Sequence, residues 1–187
     1  MSQSPKGVGE SSLPTGNVRN RLLGSLVDGR YKVLEELARD ERGVVYLALV
    51  MDTREVVDLR FIRLGPGGSA ENDSRRRFER EVNLLGGLRD PHIVRLYSYG
   101  EYGGSYYVVF EHLPGISLRT IIDLVQQHSS RSGRCLKEDQ ALRVIRQVAH
   151  GLRYAHQHQV IHRGLCPETI NVDNDGLVQI VDFRFAK

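Results

Sequence analysis

The sequence predicts an α+β fold divided into two unequal lobes. Between Tyr31 and Phe110, β-type runs follow one another with a single amphipathic helical stretch inserted after the third. From Leu118 onward the pattern turns mainly helical, and the break Leu113-Pro114-Gly115 falls between the two regimes. Residues 1–28 are rich in Ser, Gly, Asn and Pro without apolar periodicity and read as a flexible leader. The folded unit is then expected over 29–187, with a first lobe at about 29–110, a hinge at about 111–115 and a second lobe over 116–187.

Composition bounds the class. A chain of 187 residues is one domain plus a tail at roughly 150 residues per domain. Its 40% hydrophobic and 26% charged residues are those of a soluble globular protein. No apolar run approaches the ~20 residues a membrane span needs, and the first residues lack the apolar core of a secretory signal. Cys135 and Cys166 are too few for a disulfide framework and have no metal-ligand spacing, so a reduced, cytoplasmic chain is expected. The net charge of +3 is spread among interspersed acids, which argues against a nucleic-acid or membrane partner.

The elements follow in order. Tyr31 to Leu37 and Val44 to Val50 read as strands around the polar turn Arg39-Asp40-Glu41-Arg42-Gly43, and Glu55 to Leu64 as a third. Gly65-Pro66-Gly67-Gly68-Ser69 then breaks the chain. Phe78, Val82, Leu85 and Leu88 form one apolar stripe within a helix over Ser74 to Leu88, and Asp90-Pro91 ends it because the residue before proline is driven from helical geometry. Strands are expected over Ile93 to Tyr99 and Tyr106 to Phe110, with a Gly-rich turn between them. A short helix near Leu118 to Gln127 precedes a longer one over Glu138 to His158, whose stripe is Leu142, Ile145, Val148, Leu152 and Ala155. Ile170 to Val172 and Val178 to Val181 flank the hairpin turn Asn174-Asp175-Gly176.

Two tracts near the end carry a resemblance. Ile161-His162-Arg163-Gly164-Leu165-Cys166-Pro167-Glu168-Thr169 and Val181-Asp182-Phe183-Arg184 resemble the catalytic loop and the start of the activation segment of protein kinases. Asp90-Pro91-His92-Ile93-Val94 is similar to the linker after that family's regulatory helix, and the order of pieces matches over Tyr31 to Lys187. The resemblance, most similar to bacterial-type Ser/Thr kinases, implies a bilobal fold: a five-stranded antiparallel sheet with one regulatory helix, then the first part of a mainly helical lobe.

Phosphoryl transfer rests on positioning and charge stabilisation, so the resemblance also says which side chains to inspect. The glycine-rich loop maps to Ala38, Asp40, Gly43 and Val45, where two of three glycines are replaced and Asp40 places negative charge toward phosphates; an ordinary hairpin turn is the simpler reading of Gly43. The phosphate-holding lysine maps to Arg60, and no lysine lies between Lys32 and Lys137. Arg60 is expected to pair with Glu81 on the regulatory helix. The alanine above adenine is Asp58. In the catalytic loop the general base is Gly164, the phosphoryl-steadying lysine is Cys166 and the metal-binding Asn is Thr169. Cys166 has no Cys–His partner to make it a nucleophile, and a plain loop cysteine is the simpler reading. Asp182 is retained as a weakened metal ligand, with Arg184 close in sequence. The hinge tract offers backbone groups at Glu111 and Leu113.

The family's two interlobe stacks diverge. The regulatory one maps to Leu85, Leu96, His162 and Phe183, and all four fit. The one completed by adenine maps to Val45, Asp58 and Asn171, two of them polar. These residues point to a catalytically inactive kinase-like domain that binds or regulates through a protein partner, such as an active kinase or the rest of the second lobe, with no cofactor. The helix start Arg75-Arg76-Arg77 is a docking site or simply a solvated face. The alternative is an ATP- and Mg-dependent Ser/Thr kinase, or its N-terminal piece, that works with altered residues.

Overall fold

The computed structural model describes residues 22–40, 43–62, 69–128 and 136–183; the side chains at 69–74, 77 and 81 lie outside the description. The first lobe is a six-stranded antiparallel sheet: β1 (Leu26–Val27), β2 (Tyr31–Asp40), β3 (Gly43–Val50), β4 (Val56–Ile62), β5 (Leu96–Tyr102) and β6 (Ser105–Glu111). Their spatial order is β1-β2-β3-β4-β6-β5. The helix α1 (Ser69–Gly86) is inserted between β4 and β5. The second lobe carries α2 (Leu118–His128), α3 (Glu138–Gln157) and a small sheet of β7 (Ile116–Ser117), β8 (Ile170–Val172) and β9 (Val178–Ile180). The molecule is therefore a bilobal α+β fold.

Strand alternation gives the large sheet two buried faces. One packs Val27, Tyr46, Ala48, Leu59 and Val109 into an outer cluster. The other receives Phe78, Val82 and Leu85 of α1, together with Leu88 just beyond the helix, which ends at Gly86 rather than at the expected Leu88. This second cluster runs on into the other lobe through Val148, Ala155, Ile180 and Phe183, so one apolar core crosses the junction. Backbone bonds reinforce it: Val94 N–H donates to Ile180 at 3.0 Å and Ile180 N–H to His92 at 2.9 Å.

That last contact corrects the expected fourth strand, Ile93 to Tyr99. Ile93 to Arg95 is a linker whose backbone is bound to β9, and the strand proper begins at Leu96 and extends to Tyr102. Its hairpin closes through Gly103 and Gly104, both at positive φ, which fits a primed two-residue turn between Tyr102 and Ser105.

The leader boundary is also corrected. Residues 22–28, expected to be flexible, are folded: Val27 is wholly buried, Ser25 C=O accepts from Val33 N–H at 3.0 Å, and Asp28 accepts a hydrogen bond from the Tyr107 hydroxyl. Residues 1–21 lie outside the described residues. Of the α3 stripe, Val148 and Ala155 are buried, whereas Leu142 and Ile145 are exposed. No helix among the described residues is long and apolar enough to cross a membrane.

Candidate functional site

Between the lobes lies a cleft of about 200 Å³, lined from the sheet by Val45, Asp58 and Arg60, from the hinge by Phe110, Glu111 and Leu113, and from the second lobe by Glu168, Asn171 and Asp182. The strand register explains the sheet's contribution. Asp58 and Arg60 are two residues apart on β4, so both face the cleft, while Val57, Leu59 and Phe61 between and beside them enter the outer cluster.

Arg60 donates from its guanidinium to the Asp182 carboxylate, an ion pair joining the two lobes across the cleft. The expected Arg60–Glu81 pair and the contribution of Arg184 fall on side chains outside the described residues. Asp182 has a left-handed backbone, φ 59°, as does Arg163 at 60°. Around it, Val181 N–H donates to Thr169 C=O at 2.9 Å, and His162 Nε2 lies 2.8 Å from Val181 C=O.

The hinge half of the cleft contains a pair that motif spacing did not reveal. His112 Nδ1 lies 2.7 Å from an Asp58 carboxylate oxygen, which ties the hinge to β4. Burial pushes the Asp58 carboxyl above the usual carboxylate range, partly offset by the His112 hydrogen bond and the nearby Arg60 charge. At the floor, Asn171 Nδ2 donates to Pro114 C=O at 2.7 Å, so this amide is tied to the end of the hinge.

The loop between α3 and β8 is closed by its own bonds. The buried Thr169 hydroxyl donates to Cys166 C=O at 3.0 Å and accepts from Cys166 N–H at 3.1 Å. Gly164 N–H approaches His162 Nδ1 at 3.3 Å. The Glu168 carboxyl is held below the usual range by its own backbone N–H and the Cys166 thiol. Cys166 is half-buried, and among the described residues no cluster of His, Cys, Asp and Glu is arranged to hold a metal.

The β2–β3 hairpin does not place Ala38, Asp40 or Gly43 among the residues lining the cleft. Asp40 instead accepts from Gly43 N–H at 3.1 Å, closing the hairpin. A Cβ at Gly43 would sit 1.8 Å from the Phe61 carbonyl oxygen, so close approach to β4 demands glycine here. Glu41 and Arg42 are outside the described residues.

The apolar stack is assembled. Leu85, Leu96, His162 and Phe183 are all buried, and the His162 and Phe183 rings lie 4.7 Å apart. Sequence reasoning missed Val94, Ser117, Ile170 and Val181 as lining residues, and it missed the pairing of His112 with Asp58. Apolar Val94 and Ile170 carry no chemical signature, and only the fold brings His112 to Asp58.

Within the cleft Asp182 already holds a guanidinium, the Thr169 hydroxyl is engaged within its loop, and the Asp58 carboxylate lines the hinge side. Comparisons with known proteins place the chain. The family described as protein kinase domain matches residues 31–187. The chain is 31% identical over 167 residues to the serine/threonine-protein kinase PrkC of Bacillus subtilis, covering 88% of this chain and 24% of that one. It is 35% identical over 159 residues to PknD of Mycobacterium tuberculosis, covering 85% and 22% respectively. The crystal structure of the Mycobacterium tuberculosis PknI kinase domain superposes with a TM-score of 0.70 at 27% identity, over 88% of this chain and 63% of that one. The chain thus spans about a quarter of the length of these curated relatives.

Proposed function

The chain belongs to the protein kinase family, and from that premise we propose that it is a Ser/Thr-kinase-type domain that regulates by binding a protein partner rather than by transferring phosphate. The observation that carries this reading is the catalytic loop. Gly164 occupies the general-base position, where it offers a backbone N–H toward His162 and no side chain to accept a substrate hydroxyl's proton. The cleft is consistent with the same reading. Its volume of about 200 Å³ is below the ~300–1,000 Å³ of typical ligand pockets, and Asp58 opposes an aromatic base. The intact stack Leu85, Leu96, His162 and Phe183 supplies a rigid bilobal shape for a partner to read.

The names of the relatives favour a second reading over this one: an ATP- and Mg-dependent Ser/Thr kinase with altered site residues. His162, Arg163 and Asp182 stand at the positions that reading requires. Incubation of the purified chain with ATP, Mg²⁺ or Mn²⁺ and a generic Ser/Thr substrate separates the two. Regulation by binding predicts no transfer above a Gly164→Arg control, whereas transfer well above it establishes the second reading.

A further inference from the structure

We infer that Arg60 is a built-in cation for Asp182, whose guanidinium satisfies that carboxylate in place of a metal and latches the lobes together without a ligand. The inference rests on the family assignment above for the identity of Asp182, and it concerns the state of the cleft rather than phosphate transfer.

Both ends of the latch are fixed by backbone. Arg60 lies mid-strand, paired in register with Val45 on β3 and Val108 on β6. Asp182 follows a residue bonded to both the Thr169 carbonyl and His162, and precedes Phe183, which packs on the His162 ring. The side chains of the pair are 22% and 11% exposed, so water screens them only in part. A guanidinium keeps its charge at any physiological pH and offers a planar fork matched to a carboxylate, which a lysine ammonium does not.

A divalent ion finds little to replace this. Mg²⁺ is usually held by one or two carboxylates together with substrate phosphates. Here one carboxylate is already neutralised, and the Thr169 hydroxyl is committed to its own loop. Further ties join the hinge to both lobes: Asp58 with His112 from the sheet, and Asn171 with the Pro114 carbonyl from the floor. The polar side chains of the cleft are thus engaged from within the chain, across the lobes at Arg60–Asp182 and against the hinge at Asp58 and Asn171.

The test is titration of the full chain with Mn²⁺ alone, read by the paramagnetic resonance of free Mn²⁺. Wild type and Asp182→Asn are expected to bind equally weakly, because the carboxylate is already occupied. Arg60→Met removes this guanidinium from it and is expected to bind at least about tenfold more tightly than wild type, the latch's occupancy having reduced the apparent affinity. That gain should vanish in Arg60→Met/Asp182→Asn. Wild-type binding that Asp182→Asn abolishes overturns the latch, and needs no Arg60 variant to fold. A folded Arg60→Met that gains nothing, or a gain that survives loss of Asp182, overturns it as well. Phosphate transfer by wild type would sink the regulatory reading instead, while Mn²⁺ bound at Asp182 without transfer would sink only the latch.

Discussion

Replacing Asp58 with alanine separates the hinge half of the cleft from the half that holds Arg60 and Asp182. Asp58 lies on β4 between Leu47 and Phe110 of the flanking strands, faces the cleft and is tied to His112 at 2.7 Å. For stability, two effects oppose. A buried hydrogen bond to a charged group is worth about 1.5–3 kcal/mol, but the His112 and Asp58 side chains are 36% and 28% exposed, which discounts the pair to about 1 kcal/mol. Against this, the substitution removes a carboxylate that burial disfavours. The variant is therefore expected to melt within about 2–4 °C of wild type, the shift that 1 kcal/mol produces in a domain of this size.

For a purine base the effects do not cancel. Wild type must strip the carboxylate of water and of His112, or press a ring against it, at about 1–3 kcal/mol. Removing the group is then worth about 5- to 150-fold in dissociation constant. Adenosine is the suitable ligand because it carries no phosphate and leaves Arg60 and Asp182 out of the comparison. Calorimetric titration should show Asp58→Ala binding adenosine at least about fivefold more tightly than wild type. Equal affinities in two folded proteins would refute the assignment of Asp58 as the barrier to the base.

Gly43→Ala places a Cβ against the Phe61 carbonyl and should cost about 1–3 kcal/mol in urea unfolding without any ligand; an unchanged midpoint would mean the hairpin relaxes freely. Leu85→Ala, at a buried position of the interlobe stack, should cost about 2–5 kcal/mol by the same assay, and a loss below 1 kcal/mol would show that the stack is not packed as described. Tyr107→Phe deletes the donor to Asp28 and should cost about 1 kcal/mol, with faster hydrogen exchange around Val27; unchanged exchange there would deny β1 its anchor. Because burial raises the native Asp58 pKa, the folded state is penalised as pH climbs from the ordinary carboxylate value through the raised one. Asp58→Asn lacks that penalty, so its stability relative to wild type should grow with pH over this window, and a shrinking difference would reverse the sign of the shift.

Periodicity disclosed most of the fold because most elements are long enough to show it. The α1 stripe and the alternation of β3 and β4 are legible for that reason. β1 and β7 have two residues each, too few for any period to appear, and β1 sits in a Gly- and Ser-containing stretch that reads as leader. Ile93 and Val94 are apolar enough for a strand, but their backbone partner is β9 in the other lobe, which local pattern does not encode. The site shows the same division. Motif positions located Asp58, Arg60, Asn171 and Asp182, and all four line one cleft. Their partners were not legible, since Arg60 and Asp182 are 122 residues apart and Asp58 and His112 are 54 apart.

The two interlobe systems differ in what a ligand would have to undo. The stack of Leu85, Leu96, His162 and Phe183 is held by burial within a core that crosses the junction, and its contacts are complete within the chain. The cleft is polar, and its groups are answered from within: Arg60 by Asp182, Asp58 by His112, Asn171 by the Pro114 carbonyl. Among the described residues, no buried side-chain nitrogen or oxygen lacks a hydrogen-bond partner. A nucleotide that contacts Arg60, Asp58 or Asn171 must displace an internal contact to do so, so its gain from each is only the difference between the two. The Arg60–Asp182 pair supplies one cross-lobe contact from within the chain, so that contact forms whatever the cleft contains.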